Sequence, residues 1–417
     1  MIWLFTDVNG IEADDNAEYL CEYVMKNHKQ IDAYYVLTKN NKSEYERLKQ
    51  NGFKLVEPKS KEFYDLIKKS DVLISSHRFV DIDRKYDYSN NKVVFVPHGI
   101  TCENSSKYIN GVKPISLLTS CSKMEYNNFL KKENGYLYLS SSNVKLTGFP
   151  RHDYLLRNVK YDNKKILINF TWRAWLNDRN IRNSEYINKL QELLYSPTLK
   201  EIAEKYGYEI YLQFHPRFKR DGYVKYISIP EHITMVSNKR YEDLLSEIDL
   251  LITDYSSIHC ELAYVNKPTI YYQFDKSKFL SDKENHSYRK GWFDFETMGF
   301  GPVACDLNQL LKNLEDYLKN GCKSNEEYTN RMKNFFAYSD TNNCERVYNS
   351  IISIINNTTT NNNAATINTA SNVAVTKKYN NQANKVKKLD NKSGIVSVEQ
   401  MPFYGSVRYT HKIIKRR

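Results

Sequence analysis

The sequence predicts an α/β protein built on two mostly parallel sheets, and three observations predict it. Short apolar runs alternate with helix-spaced segments through residues 1–155 and again from about residue 164 to 355. One stretch shows the unit plainly: Leu250-Leu251-Ile252 reads as a buried strand, Thr253-Asp254-Tyr255-Ser256-Ser257 as a polar turn, a helix follows through Ala263 and Tyr264, and Thr269–Tyr272 is the next strand. Finally, 417 residues with 41% hydrophobic content suffice for two domains and an additional segment.

In the first half, Ile2–Thr6 is a predicted strand, and Asp14–Lys26 has helical spacing through Ala17, Leu20, Cys21 and Val24. Ala33–Thr38 is a strand, Ser43–Gln50 a helix, Lys54–Val56 a short strand and Glu62–Lys69 a helix. Val72–Ser75 is a strand ending in Ser76-His77-Arg78, and Val93–Val96 ends in Pro97-His98-Gly99-Ile100-Thr101. Leu117–Ser120 is a strand, Lys123–Lys131 a helix, and Val144 to Arg151 closes the half.

In the second half, Lys165–Asn169 is a strand entering Phe170-Thr171-Trp172-Arg173. Tyr186–Leu194 and Thr198–Lys205 are helices, and Glu209–Phe214 is a strand ending in His215-Pro216-Arg217. Ile233–Val236 is a short strand and Tyr241–Glu247 a helix. After the Leu250 unit, Thr269–Phe274 ends at Asp275, and Ser287–Pro302 reads as a loop carrying Arg289. Leu307–Leu318, Glu326–Phe336 and Val347–Ile355 are helices.

Ligands of open α/β sheets sit beyond the carboxyl ends of the strands, so the residues there are the candidates. His77 and His98 follow two strands of the first half; a histidine can take a proton from a hydroxyl near neutral pH, or merely cap a strand. Gly99 allows a substrate close to the backbone. The Ser256–Ser257 turn offers free N–H groups and two hydroxyls at a helix start, which suits a phosphate, although such residues also begin helices that bind nothing. Arg173 and Arg289 are suited to fork onto phosphate oxygens, the alternative being surface ion pairs.

The net charge of +12 favours phosphates, nucleic acid or an anionic membrane. No basic module with interleaved aromatics supports nucleic acid. There is no GxGxxG, GxxxxGK[ST] or HExxH, and no run of 18 apolar residues. Met1–Asp7 lacks the basic start and cleavage site of a signal peptide. The seven cysteines are scattered without a CxxC pair, which points to reduced thiols in cytoplasm and away from a zinc cluster; His259 reads as packing. No metal ligand is assigned, and Mg²⁺ beside the phosphates is left open. From Asn356 to about Asn384, Asn and Thr dominate, as in a disordered linker. The basic and apolar end, Val407–Arg417, is either a solvated tail or a contact for an anionic leaflet, at about 1 kcal/mol per Lys or Arg.

Taken together and in order, Ile2-Trp3-Leu4-Phe5, Asp15-Asn16-Ala17-Glu18, Ser75-Ser76-His77, Pro97-His98-Gly99-Ile100-Thr101 and Thr147-Gly148-Phe149-Pro150-Arg151-His152-Asp153 resemble the CDP-glycerol glycerophosphotransferase family of teichoic acid primases and polymerases. So do Thr171-Trp172-Arg173, His215-Pro216, Thr253-Asp254-Tyr255-Ser256-Ser257 with Glu261, Lys267-Pro268, Asp275, and Arg289 through Gly301-Pro302. Phe170 stands where the family usually has Pro, Glu261 where it has Asp, and Phe300-Gly301-Pro302 where Pro-Gly-Pro is common.

The resemblance implies a GT-B architecture of two Rossmann-like domains facing a cleft: 1–157 for the acceptor, 158–355 for the CDP-linked donor, then a linker and tail over 356–417. The last helix often crosses back. It implies transfer of glycerol phosphate from CDP-glycerol, or a related CDP-polyol, to a lipid-linked glycan acceptor at the inner face of the cell membrane. By position, His98 would be the base and His215 a histidine at the donor phosphates. Thr253, Asp254, Ser256 and Ser257 would form the pyrophosphate turn. Arg289 would neutralise the pyrophosphate, Glu261 and Asp275 would shape the nucleotide side, and Gly99, Arg151 and Arg173 would complete the substrate site. Two other readings stay open: a GT-B glycosyltransferase using a nucleotide sugar, and a non-catalytic partner in capsule assembly.

Overall fold

Each half of the chain builds one wholly parallel sheet. The structure, a computed structural model, describes residues 1–112, 115–236, 239–280 and 291–356. In the first lobe the strands are β1 (Ile2–Thr6), β2 (Asp32–Val36), β3 (Lys54–Val56), β4 (Val72–Ser75), β5 (Val93–Phe95), β6 (Leu117–Ser120) and β7 (Val144–Leu146). They lie in the order β3-β2-β1-β4-β5-β6-β7. The second lobe holds β8 (Lys165–Phe170), β9 (Glu209–Phe214), β10 (Ile233–Met235), β11 (Leu250–Thr253), β12 (Thr269–Tyr272) and β13 (Val303–Ala304). Their order is β10-β9-β8-β11-β12-β13.

Central strands such as β4, β11 and β12 are buried along their whole length. That is why they read as unbroken apolar runs: helices cover both faces of a parallel sheet. The direction of winding reverses between β1 and β4 in one sheet and between β8 and β11 in the other. Crevices at such reversals, beyond the strand ends, are where ligands of doubly wound sheets bind. Two parallel sheets of this kind are the expected GT-B-like architecture.

Several features depart from the sequence expectation. β13 has only two residues, too few to carry a period. Pro150–Asn158 is a helix with Pro at its first position, where the missing N–H costs nothing. The helix over 343–356 belongs by chain order to the second half, and it crosses back as the family resemblance implies. It seats Cys344, Val347 and Ile351 in the apolar core formed by Trp3, Phe5, Leu20 and Val24. Tyr348 stacks flat on His28 of the first lobe, with ring centroids 3.5 Å apart. The Ser287–Pro302 loop falls partly outside the described residues, and the tail from 357 wholly so.

Candidate active site at the lobe junction

The loop after β5 carries His98 and Gly99. Asn16 Nδ2 donates to the Pro97 carbonyl at 2.7 Å and fixes the loop from the helix after β1. β4 and β5 are neighbours, so His77 and His98 emerge side by side, with ring centroids 5.0 Å apart and 21° between planes. Gly99 faces the second lobe. A Cβ there would lie 3.0 Å from Ser257 Oγ, so the absent side chain is what lets the serine turn come alongside.

The turn after β11 belongs to the strand at the reversal of the second sheet. Ser257 occupies the cap position of helix Ile258–Tyr264, but its hydroxyl makes no capping hydrogen bond. Both Ser256 and Ser257 are half-buried. An ordinary helix start would use its serine on the backbone; this one leaves the hydroxyl available, while the His259 and Cys260 N–H groups turn back to the Ser256 and Ser257 carbonyls at 3.4 and 2.9 Å.

His215 follows β9. Its Nδ1 accepts the Arg217 N–H at 3.1 Å, so the neutral ring carries its proton on Nε2 and offers it as a donor. Desolvation first, then the charges of His98, Arg217 and Arg220, lower its pKa to about 4. His98 is exposed on its open side. Crowding by the surrounding protein, then His77 and Arg151, lowers it to about 4 as well, with Asp15 opposing. His98 and His215 therefore lie within electrostatic reach of each other, although 117 positions apart in sequence. Both are neutral at pH 7: one is free to accept a proton, the other to donate a hydrogen bond.

Other expected site residues are placed differently. Arg173 is buried, with Nη1 2.7 Å from Asp254 Oδ2 and Nε 2.7 Å from Asp275 Oδ2. Its guanidinium braces the ends of β11 and β12 and is not turned to a phosphate. Asp254 also accepts the Thr171 and Tyr255 N–H groups at 2.9 and 2.6 Å. Thr253 donates its hydroxyl to the Asn169 carbonyl at 2.6 Å. These groups shape the turn from below. With their oxygens on Arg173 and backbone, Asp254 and Asp275 are not set to hold Mg²⁺ either.

Arg151 and Glu261 are also ion-paired, with Arg151 Nη2 3.8 Å from where a Cβ on Gly99 would lie. Arg151 reaches Asp15 at 3.1 Å, Glu242 at 3.6 Å and Glu261 at 2.5 Å, joining acids from both lobes. Glu261 also takes His152 Nε2 at 2.7 Å. Burial pushes the Glu261 carboxyl up, but Arg151 and His152 outweigh it and hold the pKa at about 2. Glu261 thus binds the lobes together through Arg151 and His152. Arg289 lies outside the described residues.

Two residues quoted in the sequence but given no role there also meet. Arg217 Cζ lies over Trp172, 3.6 Å from the ring centroid, and both follow strand ends of the second sheet. Two grooves, beside Tyr86 and Tyr138 and beside Asp249 and Lys267, are lined by other residues.

The minor teichoic acid biosynthesis protein GgaB of Bacillus subtilis is 31% identical over 384 residues, covering 85% of this chain and 40% of that protein. The teichoic acid poly(ribitol-phosphate) polymerase of Bacillus spizizenii is 23% identical over 229 residues, 50% of this chain and 33% of that protein. The chain thus spans less than half the length of these relatives. In fold it is similar to the wall teichoic acid polymerase TagF (TM-score 0.61, 17% identity, 86% of this chain and 90% of that one). It is also similar to Staphylococcus aureus MnaA solved with UDP (TM-score 0.54, 16% identity, 85% and 97%). The model of the CDP-glycerol:poly(glycerophosphate) glycerophosphotransferase family matches residues 2–353, and this chain belongs to that family.

Proposed function

We propose that the chain transfers glycerol phosphate, or a related polyol phosphate, from a CDP-linked donor to a hydroxyl of a lipid-linked acceptor in teichoic acid or capsule-like polymer synthesis. The observation that carries the reading is the opposition of neutral His98 and His215 across the lobes, beside a serine turn that Gly99 allows to approach. A solved TagF variant soaked with CDPG makes CDP-glycerol the first donor to test.

In the proposed reaction the acceptor hydroxyl gives its proton to His98. Its oxygen forms a bond to the β-phosphorus of the donor. The bond from that phosphorus to the bridging oxygen breaks, and CMP leaves with the electron pair. The His215 Nε2–H and the Ser256 and Ser257 hydroxyls would meet the charge on the phosphate oxygens. The anionic donor would also raise the pKa of both histidines, making His98 a better base once the complex forms.

Purified protein, incubated with a lipid-linked acceptor and CDP-glycerol, CDP-ribitol or sugar nucleotides, tests this directly. Release of CMP with transfer, abolished in His98→Ala, supports it. Release of a nucleoside diphosphate would replace it with glycosyl transfer, and binding without release with a non-catalytic role. A lipid-linked acceptor also places the protein at the inner membrane face, although among the described residues no helix is long and apolar enough to cross. Deleting residues 385–417 should weaken vesicle sedimentation; unchanged sedimentation removes that part of the proposal.

A further inference from the structure

Directly behind the paired loops, three metal-binding side chains converge. Cys102 lies three residues after Gly99, and His259 and Cys260 follow Ser257. All three are buried, and their donor atoms lie within 4.8 Å of one another. His259 Nε2 is 3.6 Å from Cys102 Sγ and 3.3 Å from Cys260 Sγ. A zinc ion with bonds of about 2.3 Å to sulfur and about 2.1 Å to nitrogen holds tetrahedral S and N donors about 3.6 Å apart, so little adjustment is needed.

The surroundings fit. His259 Nδ1 lies 2.7 Å from Tyr271 Oη, which also accepts the Phe300 N–H at 3.0 Å. When Nδ1–H donates to that phenol, the bare Nε2 lone pair faces the two sulfurs, the usual outer partnership of a metal-bound imidazole. Phe293, Phe295 and Phe300 pack around the ring at centroid distances of 5.0, 5.6 and 5.3 Å. Two thiolates cancel the charge of a divalent ion, so the loaded centre is neutral, as this apolar shell requires. A further buried thiol, Cys121, is electrostatically coupled to both.

We propose that Cys102, His259 and Cys260 form a binding site for a thiophilic divalent cation of the zinc class, which pins the His98–Gly99 loop of one lobe to the Ser256–Ser257 turn of the other. Full-length protein, kept reduced and free of chelator, is exchanged into Zn²⁺, desalted and assayed for metal; a parallel sample is titrated with Co²⁺. About one equivalent of zinc is expected, with thiolate-to-cobalt charge-transfer absorption in the Co²⁺ sample. Cys102→Ser and Cys260→Ser should each lower retained metal about tenfold or more, while Cys305→Ser, at an exposed cysteine, should not. Tyr271→Phe should weaken affinity by roughly ten- to a hundredfold. Zinc content well below stoichiometry in the wild type, a Co²⁺ spectrum without the thiolate band, unchanged metal in both serine variants, or a Cys102–Cys260 disulfide in the reduced preparation would overturn the site. Should a variant fail to fold, the wild-type Co²⁺ spectrum decides alone.

Discussion

The two walls of the junction hold their polar groups in opposite ways. Below the second-lobe turn, Thr253, Asp254, Arg173 and Asp275 are buried and bonded to one another or to backbone. At the surface of the junction, the rings of His98 and His215 and the hydroxyls of Ser256 and Ser257 remain available. A charge closed into a buried pair fixes geometry, whereas a neutral ring or hydroxyl left uncommitted can meet a substrate. The contrast assigns scaffolding to the arginine and chemistry to the histidines, although both residue types follow strand ends.

Mutation should break the comparison cleanly. His98→Ala is expected to lower kcat by about two to four orders of magnitude while leaving the unfolding midpoint in denaturant almost unchanged. Near-normal turnover would take the base away from His98. Arg173→Met should do the reverse first. It strands Asp254 and Asp275 without their cation and should destabilise the fold by about 3–5 kcal/mol in urea titration. A loss of activity at full stability would instead make Arg173 a substrate ligand.

Smaller effects sharpen the contrast. Ser256→Ala and Ser257→Ala each remove one hydrogen bond to a charged group, about 1.5–3 kcal/mol, so the donor dissociation constant should rise roughly ten- to a hundredfold in calorimetry. The pH profile should move least. His98 and His215 are lowered to about 4, so both stay neutral until pH falls through that region. The acid limb of kcat/KM should therefore lie below the ordinary histidine value of 6.5. In kcat, where bound phosphate raises both groups, the limb should sit at higher pH. Coincident limbs near 6.5 would mean that neither ring is desolvated.

Much of this was legible in the sequence. β1, β3, β4, β6 and β9 have the bounds that the sequence predicts, and β4 and β6 do so because a strand covered on both faces is apolar along its length. The histidines and the serine turn could be found because strand ends mark the ligand edge. What a side chain does there could not be read. Whether an arginine meets a phosphate or an aspartate depends on residues 81 and 102 positions away, as Arg173 does with Asp254 and Asp275. For the same reason Cys102 and His259, 157 positions apart, gave no spacing signal. The helix over 343–356 showed its period in the residues, and its return to the first lobe only through the family resemblance.

That helix has a consequence for how the chain comes into being. Its Val347 and Ile351 complete an apolar layer begun by Trp3 and Phe5, so β1 emerges from the ribosome several hundred residues ahead of its cover. Until that cover arrives, the nascent first lobe carries an oily, unsealed seam that invites association with other chains. A fragment cut after the first sheet inherits the same open seam permanently, and should be recovered from cells as aggregate, where the chain extended through residue 356 stays dispersed.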